Sequence, residues 1–381
     1  MNYSFFDLFL PSFSIFFIGL FVITFYFKSF KYGLIISSIK SGLFFIYFAY
    51  FFHNAGFTFL DDIRYLNISS QLANNYNITY FIFKPFALLD IIGSKNFLYY
   101  FINMVSIKLF GNYYFSPVTL NIILIYFIAI ILYKILNFLN IKIAYVISLF
   151  YLIQWDILSW EILNFKDFWV QFLTLLFIYN LLKFDKYKNI KYLISILVVM
   201  SFLFTLRFYI PYLIIASFFI FKFYLFFLEA EKKTIYYIIG LLFFIIGIII
   251  LNTILKSELH LFLSHFTNPF VGIIRYLLTP LPFHMENGYE FLLFASLLNF
   301  LLFPLFLYGI YLFYKIDSKY KYFILSYFSV LLLFYGCFIE LQGPRHKIQI
   351  LPFISLFQFY GFYGFLQFLI GYKDEKNKFF N

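Results

Sequence analysis

Charged side chains are scarce in this sequence. Asp, Glu, Lys and Arg make up 12% of its 381 residues, whereas hydrophobic residues make up 64%. Soluble globular domains carry about 25% charged residues, so this balance excludes an ordinary soluble domain. The composition predicts a polytopic membrane protein.

Cysteine is almost absent as well. The single residue, Cys337, lies inside an apolar run, which excludes an intramolecular disulfide framework and any metal site built from several cysteines. Residues 1–27 lack a basic leading segment and a small-residue cleavage site, so they predict a membrane span instead of a signal peptide. There is no internal repeat. We expect one transmembrane domain, residues 1–371, followed by a lysine-rich cytoplasmic tail, residues 372–381.

Long apolar runs fill most of the chain. A transmembrane helix needs roughly 20 apolar residues, and about eleven such runs occur, near residues 4–27, 33–52, 114–138, 141–155, 167–183, 190–206, 208–228, 234–255, 290–314, 321–338 and 347–371. Residues 97–110 are apolar but short and contain Lys108, so they predict an interfacial or re-entrant segment. The expected fold class is an all-α polytopic membrane protein.

The basic residues orient these spans, because positive charge accumulates on cytoplasmic loops. With residues 97–110 not counted as a span, one face collects Lys28, Lys31, Lys134, Lys142, Lys183, Lys186, Lys188, Lys191, Lys222, Lys232, Lys233, Lys315, Lys319, Lys321, Lys373, Lys376 and Lys378. This lysine-rich face is predicted to be cytoplasmic, with the C-terminus. Because the basic residues are scattered between spans, nucleic acid is not an expected partner.

The opposite, outer face holds the residues best suited to chemistry. It carries every arginine (Arg64, Arg207, Arg275, Arg345) and every histidine (His53, His260, His265, His284, His346). The guanidinium group is a planar fork that suits phosphate. Carboxylates follow the same trend, among them Asp61, Asp62, Asp156, Glu161, Asp167 and Glu286. We therefore expect an extracytoplasmic site for an anionic ligand at the membrane surface.

Two outer loops, residues 53–96 and 256–290, are long enough to build that site. In the first, Asp61 stands where a helix N-cap would fall, and Ile63, Leu66 and Ala73 form the apolar stripe of the helix that follows. A second amphipathic stretch, residues 81–92, is broken at Pro85. In the second loop, the proline- and glycine-punctuated run 279–288 predicts an ordered, non-helical substrate loop.

The adjacent carboxylates Asp61 and Asp62 are the strongest functional signal. A charged side chain this close to lipid costs free energy and usually has a function, so the pair predicts an acid/base centre. A structural alternative stays open, because Asp61 could cap the loop helix and Arg64 could be its i,i+3 partner. Similarly, Arg207 could anchor at lipid headgroups, and Glu161, Lys166 and Asp167 could be cap and pair residues at a helix start.

The segment Phe59-Leu60-Asp61-Asp62-Ile63-Arg64-Tyr65 and the helix after it resemble the acidic first-loop motif of GT-C-fold glycosyltransferases. These are the enzymes related to protein mannosyltransferases that use polyprenyl- or dolichyl-phosphate sugars. Three other segments resemble the family in the same order: Leu109-Phe110-Gly111, Trp155 to Asp167, and Gly343-Pro344-Arg345-His346 before Leu351-Pro352. Two features depart from it, since the acidic motif follows the second span and Asp62 stands where Glu is frequent.

The resemblance implies transfer of one sugar, with inversion, from a polyprenyl-phosphate donor to a glycan, lipid or protein acceptor. Asp61, or alternatively Asp62, would be the general base. Arg64, Arg207, Arg275, Arg345 and His346 would bind the donor phosphate, and Glu161, His265, His284 and Glu286 would have acceptor or secondary roles. No nucleotide sugar is required, and a divalent metal between the carboxylates is left open. The expected setting is a bacterial inner or cell membrane, with the site on its extracytoplasmic face.

Two other functions compete with this prediction. A Wzy-like oligosaccharide repeat-unit polymerase would also act outside on polyprenyl-linked glycans and rely on outer arginines, but it does not centre on an early Asp-Asp pair. A lipid or glycan transporter would carry out no chemistry. A transporter should place ionisable residues near the bilayer midplane, whereas here they crowd the loops.

Overall fold

The computed structural model describes residues 3–52, 59–84, 87–93, 97–229, 266–285 and 288–370, and in these residues the secondary structure is helical apart from two isolated backbone bridges. The α-helices are α1 Phe5–Phe27, α2 Phe30–Ile46, α3 Leu60–Asn75, α4 Ile78–Phe83, α5 Ala87–Ile92, α6 Phe97–Phe110, α7 Phe115–Phe138, α8 Ala144–Ile153, α9 Trp155–Trp160, α10 Asp167–Tyr187, α11 Ile190–Phe204, α12 Ile210–Glu229, α13 Pro269–Leu278, α14 Leu293–Tyr314, α15 Lys321–Cys337 and α16 Leu351–Leu369. A π-helical turn, Tyr47–Phe51, extends α2.

Within the described ranges, seven helical segments are long and apolar enough to cross a membrane. They are Phe5–Phe27, Phe30–Phe51, Phe115–Phe138, Asp167–Tyr187, Ile210–Leu228, Glu290–Tyr314 and Pro344–Leu369, and each corresponds to one of the predicted runs. Large aromatic side chains on their surfaces stay exposed, for example Phe6, Phe21 and Phe25 on α1. Exposed apolar area of this kind marks a surface that is covered by another phase, so the chain has the architecture of an integral membrane protein.

Three of the predicted spans correspond to shorter helices, and one falls outside the described residues. The runs near 190–206 and 321–338 form α11 and α15. The run near 141–155 forms only α8, because the chain becomes extended at Gln154, where ψ is 133°, before α9 begins. Ten residues of α-helix cover about 15 Å, so α8 alone is too short to span. The run near 234–255 lies outside the described residues, and the total of eleven stays a prediction.

The chain divides into two compact units. The first contains Met1–Pro211, Pro280–Ile316 and Ile348–Asn381, and the second contains Tyr212–Thr279 and Asp317–Lys347. In the first unit α7 packs against α1, α6, α8 and α10, α3 packs on α6, and α14 packs along α16. In the second unit α13 packs on α15, where Gly272 and Gly336 let the two backbones approach.

Small residues allow α14 and α16 to lie in direct backbone contact. A Cβ atom on Gly309 of α14 would lie 1.8 Å from the Phe357 carbonyl oxygen, and one on Gly361 of α16 would lie 1.9 Å from the Leu305 carbonyl oxygen. Close backbone approach at small residues is a common packing mode of transmembrane helices, because lipid tails supply no hydrophobic drive for association. The two glycines therefore fix how these helices meet.

We expect Gly309→Ala to lower the unfolding temperature in detergent micelles, because overpacking costs about 1–3 kcal/mol when a backbone must move. Gly42→Ala on α2 is the matched control, since nothing lies within 4 Å of a Cβ atom there and alanine improves helix propensity. Equal unfolding temperatures for the two variants would contradict the packing of α14 on α16.

Candidate active site

Asp62 holds the start of helix α3 in place. Its Oδ1 atom accepts hydrogen bonds from the backbone N–H groups of Phe59, at 2.9 Å, and Ile63, at 2.7 Å. Phe59 is the N-cap, and Asp62 occupies the third helical position, where an acidic side chain satisfies an orphan donor of the first turn. The prediction that Asp61 stands at the N-cap is therefore wrong, because the N-cap is Phe59, two residues earlier, and the Asp62 side chain does the capping.

The two carboxylates lie on different faces of α3. Asp62 is fully buried, and Tyr65, Ser69, Leu72 and Ala73 continue the buried face at helical spacing. Asp61 is exposed, as are Arg64, Asn67, Gln71 and Asn74. The predicted apolar stripe is confirmed at Ala73 but is wrong at Ile63, which is exposed. Successive helical residues are separated by about 100° around the axis, which is why neighbours in sequence have opposite environments here.

The buried face of α3 rests on α6. The ring of Tyr65 meets those of Tyr99 and Tyr100 edge-on, with centroids 4.9 and 5.2 Å apart. The Ser69 hydroxyl donates to the Tyr100 carbonyl oxygen at 2.9 Å. These contacts fix the rotation of α3 about its own axis, and with it the outward direction of the Asp61–Arg64 face.

Tyr114 and Asn164 also hold Asp62 in place through hydrogen bonds. Tyr114, just before α7, donates its hydroxyl proton to Asp62 Oδ2. Its oxygen accepts from the Asn164 backbone N–H at 3.3 Å, and the Asn164 side-chain amide donates to the Asp62 carbonyl oxygen at 3.2 Å. Burial raises the pKa of the Tyr114 phenol well above its usual range, and the charge of Asp62 adds to the shift. The phenol therefore stays protonated and remains a donor.

The segment between α9 and α10, residues 161–166, is non-helical and mostly buried. Asn121 on α7 donates its amide to the Phe165 carbonyl oxygen at 3.1 Å and accepts from the Trp169 indole N–H at 3.0 Å. The Tyr99 hydroxyl donates to Asn164 Oδ1 at 2.6 Å. Buried backbone groups outside a helix need hydrogen-bond partners from elsewhere in the protein, and Asn121 supplies one for the Phe165 carbonyl oxygen.

Glu161 begins this segment and forms a buried ion pair with Lys40 of α2. Both side chains are almost completely buried. Burial raises the pKa of the Glu161 carboxyl to about 7, although the Lys40 ammonium group opposes the shift. The structural alternative for Glu161, a role as a pair residue, is confirmed, and its partner Lys40 lies within the predicted span 33–52. An acceptor or secondary role of Glu161 stays a prediction.

Arg207 forms a second buried ion pair, with Asp167 at the start of α10. Its Nη2 atom lies 2.6 Å from Asp167 Oδ1, and its Nη1 atom donates to the Tyr209 hydroxyl at 2.8 Å. Gln349 also reaches Asp167, at 3.5 Å. Asp167 is therefore a pair residue as predicted. A role of Arg207 in phosphate binding stays a prediction.

The remaining predicted site residues are distributed over both units. Arg275 is exposed on α13, and Arg345 is half-buried in the 3-10 segment Pro344–Ile350, both in the second unit. In that unit the His346 carbonyl oxygen accepts a hydrogen bond from the Tyr276 hydroxyl at 2.9 Å. The imidazole ring of His346 stacks on the ring of Tyr335. His284 is exposed in the first unit, in the non-helical stretch that follows α13, as predicted for that loop. His265 and Glu286 lie outside the described residues.

A metal bridging Asp61 and Asp62 does not suit this geometry, because one carboxylate is exposed and the other is buried. Among the residues with described positions, no group of three or more His, Cys, Asp and Glu side chains could hold a metal ion.

Sequence reasoning missed Tyr114, Asn121 and Asn164, which hold the site together. A signal exists for Asn164, which stands in the short polar run from Glu161 to Asp167 within an otherwise apolar region. No comparable signal marks Tyr114, because the chain contains 36 tyrosines.

In comparisons with known proteins, no family model, curated protein or solved structure matches this chain. The resemblance of its short motifs to GT-C glycosyltransferases therefore stays a prediction, and the site must be interpreted from its own residues.

We expect Asp62→Ala to destabilise the protein by about 1–3 kcal/mol, because it leaves buried donors without an acceptor. Asp61→Ala should cost less than about 1 kcal/mol, the size of a charge effect at a helix N-terminus. Thermal unfolding of both variants in the same detergent measures the difference. Comparable losses would show that Asp62 is not the anchor of α3.

Lys40→Met should cost about 3–5 kcal/mol, because it leaves the Glu161 charge buried without its partner, whereas replacing both ions by apolar side chains is often close to neutral. The double variant Lys40→Met/Glu161→Leu should therefore unfold at a higher temperature than Lys40→Met alone. Lys31→Met, at an exposed position of α2, is the control for loss of a lysine. A double variant whose loss of stability equals the sum of the losses of the two single variants would contradict the ion pair.

Proposed function

We propose that this chain is a membrane glycosyltransferase of GT-C type, which moves a sugar from a polyprenyl-phosphate donor to an acceptor on the extracytoplasmic side. The proposal rests on the different positions of two adjacent carboxylates of α3. Asp62 is committed to capping and anchoring, while Asp61 is directed outward from an anchored helix start. An acid/base group needs both features, namely access to substrate and a fixed position.

The reaction requires a base for the acceptor and cations for the leaving group. The acceptor hydroxyl loses its proton to the Asp61 carboxylate as its oxygen attacks the anomeric carbon, and the bond to the phosphate oxygen breaks. Negative charge then grows on the departing polyprenyl phosphate, where preplaced cations stabilise it. Arg64 is the first candidate, because it follows Asp61 by three residues on the same exposed face.

An apolar cavity in the same unit suits part of the donor's isoprenoid chain. It has a volume of about 220 Å³ and is lined mainly by the end of α2 with its π-helical turn and by α9. Ile162, two residues before Asn164, forms part of its wall. The cavity therefore borders the segment that clamps Asp62. Its side chains include Tyr47, Phe51, Trp155 and Leu158.

The test uses purified protein in lipid nanodiscs with radiolabelled polyprenyl-phosphate hexoses and pentoses, and it measures release of the polyprenyl phosphate. Asp61→Asn should slow release by about 100-fold or more, the usual contribution of a general base. Arg64→Gln should mainly raise KM for the donor, because it removes a phosphate contact.

Asp90→Asn is the matched control, since Asp90 is an exposed aspartate of α5 in the same loop, and its rate should equal that of the unmodified protein. Unchanged release in both Asp61→Asn and Asp62→Asn would rule out the carboxylate mechanism. Products that grow by whole repeat units would favour a polymerase. Movement of intact donor across the bilayer without release would favour a transporter.

A further inference from the structure

A second cavity, separate from the candidate active site, lies at the other end of the first unit's long helices. It has a volume of about 450 Å³, within the range of small-ligand sites. Its wall is formed by the turn between α7 and α8 and by the last turns of α14 and α16. Tyr114 precedes the first residue of α7 and Lys142 follows its last turn, so the 24 residues of the helix separate the two regions by about 36 Å.

The charge of this cavity is positive. Lys142 and Lys315 contribute to its wall, and none of the described residues that line it is acidic. The C-terminal ends of α14 and α16 also border it, and helix C-termini carry partial negative charge. Two ammonium groups outweigh those partial charges, so the cavity as a whole favours an anion.

Four tyrosines line the cavity together with the two lysines. The Lys315 ammonium group lies 4.3 Å from the centre of the Tyr311 ring, which restrains it at the cavity. Tyr308, Tyr360 and Tyr363 add three more phenols to the wall, and Gln367 adds an amide. Phenol and amide groups donate hydrogen bonds to phosphate oxygens, while the rings cover the apolar part of a bound molecule.

The position of the cavity suits a lipid more than a soluble anion. α14 and α16 belong to the segments long enough to span a membrane, and the cavity lies at their ends, where lipid headgroups are found. Phe368, which is exposed on the last turn of α16, also contributes to the wall. Basic pockets between transmembrane helices are a known setting for anionic headgroups.

We infer that this cavity binds the phosphate headgroup of an anionic membrane lipid, with Lys142 and Lys315 as the cationic contacts and the tyrosine hydroxyls as hydrogen-bond donors. This site is independent of the proposed sugar transfer, because none of its residues belongs to the Asp61 region.

Native mass spectrometry of the delipidated full chain tests the inference, with phosphatidylglycerol and phosphatidylcholine of identical acyl chains as probes. The unmodified protein should retain phosphatidylglycerol preferentially. Lys142→Met/Lys315→Met should weaken that retention roughly 10- to 30-fold, the effect of removing two lysines at a membrane surface, and should leave phosphatidylcholine unaffected. Both lysines are exposed, so the variant should keep its unfolding temperature.

Lys186→Met/Lys191→Met is the matched control, because it removes two exposed lysines that do not line the cavity. An equal loss in this control would reduce the effect to general surface charge and overturn the site. The same follows if the unmodified protein shows no preference for phosphatidylglycerol. Displacement of the bound lipid by excess inorganic phosphate would indicate a soluble phosphate ligand and would overturn the assignment to a lipid.

Discussion

The first unit depends on satisfying the polar groups of one non-helical segment, residues 161–166, inside a largely apolar structure. A helix satisfies its own backbone, but this segment cannot, and unsatisfied backbone groups away from water cost several kcal/mol each. Asn121 donates to the Leu163 and Phe165 carbonyl oxygens, the Tyr114 hydroxyl accepts from the Asn164 backbone N–H, and Glu161 is paired with Lys40. Because these partners come from α2, from α7 and from the residue just before α7, the segment ties together helices that are distant in sequence.

That requirement also orients the helix which carries the candidate base. The same Asn164 that bonds to Tyr99 donates to the backbone of Asp62, so the position of α3 follows from the position of the segment. Asp62 can be buried because its carboxylate receives three hydrogen bonds, from two backbone N–H groups and the Tyr114 hydroxyl. Once Asp62 is anchored, helical geometry directs Asp61, about 100° away around the axis, to an exposed face of α3.

The sequence was sufficient to predict the membrane class and most of the long helices, because a transmembrane helix is specified by a local run of apolar residues. It was insufficient for the break at Gln154 and for the pairing of Lys40 with Glu161, which are 121 positions apart. Such contacts depend on tertiary packing, and nothing local to Lys40 distinguishes it from a lysine that snorkels to the interface. The adjacent aspartates show the same limit. The sequence singles out the pair, but which of the two aspartates is buried depends on the register of α3 against α6.

The charged side chains near the two ends of α7 have different surroundings, and this difference indicates different roles for the two ends. Near Tyr114 the buried charges are compensated within the protein, as Asp62 is by hydrogen bonds and Glu161 by Lys40. Such compensation makes a rigid scaffold, on which Asp61 is an exposed carboxylate. At the other end of α7, Lys142 and Lys315 line the same cavity. Like charges at one cavity repel each other, so this end is completed more favourably by an anion from outside the chain. An anionic headgroup there would anchor the end of α7 in the membrane while leaving the compensated end unchanged.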